Sequence, residues 1–216
     1  MQPKGMIFWD WNGTLMDDVE FTHSCLNWML ETHGYPQRYD LAAYREIFGF
    51  PIEEYYCRAG FDFARHPYPE LAARFMEHYN AGVAACPVTA HATEALTELS
   101  RRGWNQAVLS ASRRDYLIEQ VAARGLQGFF TELLGLADIY GVSKVQLGTD
   151  YLRRTGIDPS ACVMIGDTNH DAEVAAAIGA KCVLYTGGHQ SRARLEQTSP
   201  YVIDDLAQLP ELLETI

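Results

Sequence analysis

The stretch Met6-Ile7-Phe8-Trp9-Asp10-Trp11-Asn12-Gly13-Thr14-Leu15 decides how the rest of this chain is read. Residues 6–9 form a short, wholly apolar run, which suits a strand buried on both faces of a parallel sheet. The run ends on a carboxylate, Asp10, and Gly13 lets the backbone leave by a tight turn. In an open α/β sheet, ligands bind in the crevice beyond the carboxyl ends of the strands. Asp10 is therefore placed for chemistry. Two residues on stands Asn12, an amide where a second acid would complete a nucleophile and proton-donor pair.

Working outward, residues 17–85 read as helix almost throughout. Phe21, Cys25, Trp28 and Met29 recur at helical spacing before Gly34-Tyr35-Pro36. Asp40 can cap a second helix carrying Leu41, Tyr44 and Phe48, ended by Gly49. Pro51 opens a third helix, closed by Gly60. A fourth begins near Pro69 with a stripe of Leu71, Phe75, Tyr79 and Val83, and Cys86-Pro87 stops it. Beyond Pro87 comes a helix with Ala92, Ala95, Leu96 and Leu99, then short apolar runs that alternate with amphipathic segments. The pattern predicts strands over 106–109, 129–134, 161–165 and 181–185. Ser112-Arg113-Arg114-Asp115 reads as a capping box opening a helix over 113–124. Strands alternating with helices predict an α/β class: a Rossmann-like parallel sheet core flanked by helices, with an inserted four-helix cap domain. The expected division is a core of residues 1–15 and 86–216 and a cap of residues 16–85.

The chain has 216 residues, enough for one sizeable core with a smaller insertion. Its formal net charge of −11 argues against a nucleic-acid partner, since affinity for that polyanion rests on clustered Lys and Arg. Five cysteines show no metal or redox spacing, so reduced thiols are expected. No apolar run reaches the length of a membrane span and the N-terminus fits no leader, so the expectation is a cytoplasmic protein with no membrane partner.

Three polar positions follow strands or strand-like runs: Asp10, Ser110 and Asp167. In a parallel sheet these ends share one edge, so the three converge. Taken singly, each has a plain alternative: Ser110 as a loop hydroxyl, Asp167 as a helix cap. Gly166-Asp167-Thr168-Asn169-His170-Asp171 says more, because two carboxylates four apart across a helix-opening turn can face one point. Such hard oxygens suit Mg²⁺, and Asp10 would complete the set. His170 reads as a surface turn residue and Gly187-Gly188-His189 as a plain turn. Lys144 follows Gly141-Val142-Ser143 and opens a helix closed by Gly156. A cation in a first turn opposes the helix dipole, so either the lysine is merely solvated or it serves an anionic ligand beside Ser110.

Taken together, these residues resemble the haloacid dehalogenase-like hydrolase superfamily, in its phosphoglycolate-phosphatase-like branch with a helical cap after the first motif. Asp10 to Thr14 match the first motif, Ser110 the second, Lys144 the third and Gly166 to Asp171 the fourth, in order. The tail over 201–212 is similar as well. The resemblance implies that Asp10 attacks phosphorus and carries a transient aspartyl-phosphate, oriented by Thr14. It implies a phosphate-binding set of Thr14, Ser110 and Lys144. It also implies a Mg²⁺ held by Asp10, the backbone carbonyl of Asn12, Asp167 and Asp171.

The departure is Asn12. Phosphatases of the family carry an acid there that protonates the leaving alkoxide, a service worth about 10² to 10⁴ in rate. Three accounts stay open: a substrate with a good leaving group, a proton supplied by the cap or the substrate, or slow turnover with phosphate binding as the role. The expected function is a Mg²⁺-dependent phosphatase for a small phosphorylated metabolite, working through Asp10 with Asn12 and Lys144, as a monomer or homodimer. The alternative is a phosphate-binding or regulatory protein with little turnover. A cap opening near Met16-Asp17 and Ala85-Pro87 is expected to set specificity through Gly49-Phe50-Pro51, Arg45 and Arg58.

Overall fold

The computed structural model describes residues 4–137 and 143–216. Gly141 and Val142, read above as the approach to Lys144, lie outside the described residues. The chain opens with β1 (Gly5–Trp9), then passes through α1 (Val19–Thr32), α2 (Leu41–Ile47), α3 (Ile52–Ala59) and α4 (Tyr68–Gly82). Next come α5 (Ala92–Arg101), β2 (Trp104–Arg113), α6 (Arg114–Ala123), β3 (Glu132–Leu136) and α7 (Lys144–Thr155). The last main elements are β4 (Cys162–Gly166), α8 (Asn169–Ile178), β5 (Lys181–Tyr185) and β6 (Val202–Ile203). The sheet order is β3-β2-β1-β4-β5-β6, every pair parallel, with β1 at the centre. The α/β architecture is the one the strand and helix rhythm predicts.

Strand alternation builds two cores on one sheet. Ile7, Trp9, Val108, Val163 and Ile165 face one side, with Leu96 and Leu99 of α5. Met6, Phe8, Ala107, Leu109 and Met164 face the other, with Tyr151 of α7 and Val174 of α8. The buried Gln106 within this apolar sheet is satisfied: Trp9 Nε1 donates to its Oε1 at 2.9 Å, and its Nε2 donates to Leu96 O at 3.0 Å. A third core belongs to α1–α4 and their loops, where Leu26, Leu30, Tyr44, Tyr55, Tyr56 and Leu71 pack together. Asp40 caps α2 by accepting from Ala43 N at 2.8 Å, and Gly60 ends α3 in the left-handed region.

The structure departs from the sequence expectations at three places on the sheet. β2 runs well past Ser110, with a register shift after Leu109 before Arg113 pairs with Leu136. The capping box at 112–115 does not form, because Ser112 is still in the strand and its hydroxyl is spent elsewhere; Arg113 stands at the start of α6 without a side-chain cap. The apolar Phe129 and Phe130 pack against the first core from a turn, so β3 starts only at Glu132. The two-residue β6 has too short a pattern to read from sequence.

Candidate active site

Asp10 N donates to Ile165 O at 2.8 Å, which ties the end of β1 to β4 and sets Asp10 above the sheet edge. Ser143 caps α7, accepting from Gln146 N at 3.1 Å, and so starts the helix at Lys144. Lys144 is buried, and its Nζ sits 2.7 Å from Asp10 Oδ1 and 2.6 Å from Asp171 Oδ1. Two ion pairs account for a cation that opposes the helix dipole, and the solvated alternative falls away.

Asp171 lies in the first turn of α8. There Thr168, not Asp167, is the cap, and the two residues form a capping box. The second oxygen of Asp171 accepts from Thr168 N at 3.0 Å and from Thr168 Oγ1 at 2.8 Å. Asp167 is left free of capping and accepts from Thr14 Oγ1 at 3.1 Å and His189 N at 2.6 Å. Backbone approaches this carboxylate closely. A Cβ at Gly13 would stand 2.4 Å from Asp167 Oδ2, and one at Gly188 would stand 2.2 Å from Asp167 Cβ.

Asp10, Asp167 and Asp171 each offer an oxygen within 4.8 Å of the others. Burial pushes the Asp10 carboxyl up to about 6, with Lys144 pulling it down and Asp171 pushing it up. Burial likewise pushes Asp167 up to about 8, partly opposed by His189 and reinforced by Asp10 and Asp171. Asp171 is also buried, but the charge and hydrogen bond of Lys144 more than offset that and hold it down. One lysine thus faces three clustered acids, two of which are electrostatically unhappy as bare carboxylates. A hard divalent cation fits that donor set.

Asn12 turns away from the acids. Its Nδ2 donates to Asp18 Oδ2 at 2.9 Å and to Tyr79 Oη at 2.7 Å, while its Oδ1 accepts from Ser112 Oγ at 2.7 Å. Asp18 is buried and also accepts from Gly13 N at 2.8 Å and Tyr79 Oη at 2.5 Å. His189 Nε2 lies 3.4 Å from Asp18 Oδ1, and its Nδ1 lies 2.8 Å from Tyr44 Oη. Burial pushes Asp18 up, but His189, then Tyr79 and Asn12, outweigh it and hold the carboxyl down to about 2.

A cavity of about 400 Å³ opens over these groups. Asp10, Asn12, Ser110, Lys144, Asp167 and Asp171 line its floor, and Phe48, Phe50, Ile52, Tyr55, Phe75 and Tyr116 line its walls. Ser110 is buried there, its Oγ accepting from Ser112 N at 3.0 Å. Thr14 is fully buried and faces Asp167, so it does not line the cavity with the other phosphate-binding candidates. Arg45 and Arg58 do not line it either. Arg45 donates to the carbonyls of Gly188 and Gly187, both at 2.9 Å, and Arg58 donates to Ile47 O at 2.9 Å. Both bind backbone because the helix ends and turns they face expose carbonyls. From the segment after β5, Arg194 donates to Arg45 O and Glu46 O, both at 3.1 Å, and Gln190 donates to Phe48 O at 3.0 Å. Phe50 does reach the cavity, lying 4.6 Å from the His170 ring, which places His170 at the rim.

Sequence reasoning missed Asp18, Ser112 and His189. Asp18 carries no signal of its own beside the expected hinge at Met16-Asp17, and Ser112 reads as a helix cap. Gly187-Gly188-His189, read as a plain turn, supplies the amide that holds Asp167. A buried His–Asp contact across so many residues leaves no local pattern.

A family model described as haloacid dehalogenase-like hydrolase matches residues 7–185. A phosphoglycolate phosphatase of Haemophilus influenzae (strain 86-028NP) is 28% identical over 122 residues, covering 56% of this chain and 54% of that protein. The match thus spans about half of that relative's length. A phosphoglycolate phosphatase of Synechococcus elongatus is 24% identical over 215 residues, covering 97% and 96%. Among solved structures, a haloacid dehalogenase-like family protein from Streptococcus pneumoniae shares the fold with a TM-score of 0.83. That superposition covers 97% of this chain and 98% of that one at 18% identity. No helix among the described residues is long and apolar enough to cross a membrane.

Proposed function

The chain belongs to the haloacid dehalogenase-like hydrolase family, and on that footing we propose that it is a Mg²⁺-dependent phosphatase acting on a small phosphate monoester through Asp10. The observation that carries this reading is Lys144 Nζ, buried between Asp10 and Asp171 on the floor of the cavity with Asp167 beside them. Asp10, Asp167 and Asp171, with the backbone carbonyl of Asn12, would hold the metal. When bound, Mg²⁺ supplies positive charge against the phosphoryl oxygens.

The chain's own residues account for the remaining work. Lys144 fixes Asp10 through Oδ1 and keeps it ionised near neutral pH. Asp10 attacks phosphorus, forming an acyl phosphate as the ester oxygen leaves with its electron pair. Ser110 and Lys144 hold the phosphoryl oxygens during transfer, while Thr14 acts at one remove by orienting Asp167. Asn12 holds no transferable proton, so the leaving oxygen takes its proton from water. A second water then attacks phosphorus and returns Asp10 to a carboxylate. Residues 16–85 act as a cap that excludes bulk water from a site built by residues 1–15 and 86–216.

The test is phosphate release from a panel of phosphorylated metabolites with Mg²⁺ and with chelator. Chelator-sensitive release that Asp10→Asn abolishes supports the reading; release unchanged by Asp10→Asn removes Asp10 as nucleophile. Asn12 favours one second reading, a phosphate-binding protein with little turnover, which tight phosphate binding without release from any ester would establish.

A further inference from the structure

We propose, resting on the phosphatase reading, that the substrate is a phosphate ester of a phenol or similar aromatic hydroxyl, with no second anionic group. The cavity above the floor is lined mainly by Phe50, Ile52, Tyr56, Phe75, Met76 and Tyr116, with Asn80 and Gln120 as neutral polar groups among them. Such a wall favours a flat apolar group over a carboxylate or a second phosphate, whose hydration it would strip without replacement.

The cations near the walls are already engaged. Arg113 is bound by two contacts of 2.6 Å to Asp115 and lies 4.0 Å over the Tyr116 ring. His170 Nδ1 lies 3.2 Å from Glu173 Oε2. His189 is held between Asp18 and Tyr44. Among the described residues lining the cavity, Lys144 on the floor is the one further basic side chain, and its place is with the transferred phosphate.

Asn12 leads to the same substrate class by a separate route. With no acid at that position, the ester oxygen must depart unprotonated. A phenol ionises near 10, like a tyrosine, whereas an alkoxide is roughly as basic as hydroxide, whose parent water ionises at about 15.7. In the proposed step the Asp10 O–P bond forms as the P–O(aryl) bond breaks, and the electron pair leaves on the phenolate, which takes its proton from solvent. Water then attacks phosphorus, its proton passing to phosphate or solvent as Asp10 is released. Tyr55 adds detail: the side chain is buried, lines the cavity, and its hydroxyl has no partner. A neutral hydrogen-bonding group on the aromatic ring would satisfy it.

The experiment compares 2-naphthyl phosphate, phenyl phosphate, 2-phenylethyl phosphate and phosphoglycolate on the full chain with Mg²⁺. We expect kcat/KM for 2-naphthyl phosphate to exceed that for phosphoglycolate by at least 100-fold. For 2-phenylethyl phosphate, KM should stay close to the phenyl value while kcat falls at least tenfold. Equal or better use of phosphoglycolate overturns the inference and leaves the phosphatase reading standing. Release from none of the four, with release from another ester of the metabolite panel, overturns the inference alone; release from no ester at all overturns the phosphatase reading, and the cavity is then judged by binding alone. Phenylphosphonate should bind at least tenfold more tightly than phosphonoacetate by calorimetry, and the reverse order overturns the inference. Phe50→Ala should raise KM for 2-naphthyl phosphate about tenfold and leave KM for phosphoglycolate unchanged; equal shifts on both count against it.

Discussion

The Asn12 amide donates to Asp18 Oδ2 at 2.9 Å, and Asp18 is buried, ionised and held by His189. An amide at position 12 is thus matched to a carboxylate beneath it. A second acid there would bring two carboxyl groups face to face, and one of them would have to keep its proton.

That pairing sets the outcome of Asn12→Asp. Repulsion from Asp18 holds the new carboxyl protonated, which makes it a proton donor. The rate on alkyl phosphates should rise about 100-fold, the lower end of what a restored general acid supplies. The rate on acyl phosphates, whose leaving groups need no proton, should barely change. Steady-state kinetics on matched pairs decides it, and an equal gain on both classes shows that proton transfer was not the limitation.

Lys144→Met strands Asp10 and Asp171 without their shared cation. Removing one partner of a buried ion pair costs about 3 to 5 kcal/mol, to be read from urea denaturation at pH 7 without metal. Phosphate release should be lost as well. A variant as stable as the parent would mean that the acids find compensation elsewhere.

Stability should fall with rising pH in the metal-free protein. Asp10 at about 6 and Asp167 at about 8 both lie above the ordinary 3.8. The folded state therefore binds the extra protons, and the stability this gives is full below pH 3.8 and lost as pH climbs to about 8. His189, raised chiefly by Asp18 against its burial, runs the same way. Asp18 and Asp171 are depressed and work oppositely, but their contribution is complete by about pH 5. Melting temperature should thus drop from pH 5 to pH 8 in chelator, and Mg²⁺ should raise it more at pH 8 than at pH 5. A flat profile in chelator would contradict the buried-acid account.

Arg45 and Arg194 form a reciprocal clasp, each donating to backbone carbonyls across the seam between α2 and residues 187–194. Arg45→Ala removes two charge-assisted bonds, worth about 1.5 to 3 kcal/mol each at most and less where solvent reaches them. Amide hydrogen exchange across α2 should speed up, and KM should rise several-fold with α2 less firmly held over the cavity. Unchanged exchange in α2 would show that Arg194 and Gln190 hold the seam alone.

Much of the candidate site was legible because its residues stand at one end or the other of locally recognisable elements. Asp10 closes an apolar run, Lys144 follows a capping serine, and Asp171 lies in a helix's first turn. The supporting groups were not legible, since their partners are distant in sequence. Tyr79 meets Asp18 across 61 positions, and Gln190 reaches Phe48 across 142. Arg45 and Arg58 misled for the opposite reason: a cation beside a loop suggests a ligand, while the carbonyls that claim it are invisible until the chain folds. At 112–115 the local capping signal was real but lost to strand extension and to the contact between Ser112 and Asn12.

Gly13 and Gly188 press bare backbone against Asp167 from two directions. The site's most fragile positions therefore include two with no chemistry of their own. A single methyl at either would shift the carboxylate as surely as replacing it, so a survey confined to charged and polar side chains would overlook both. Tolerance to substitution here follows the room around Asp167, and inherited variation at these two turns is expected to be narrower than at many residues lining the cavity.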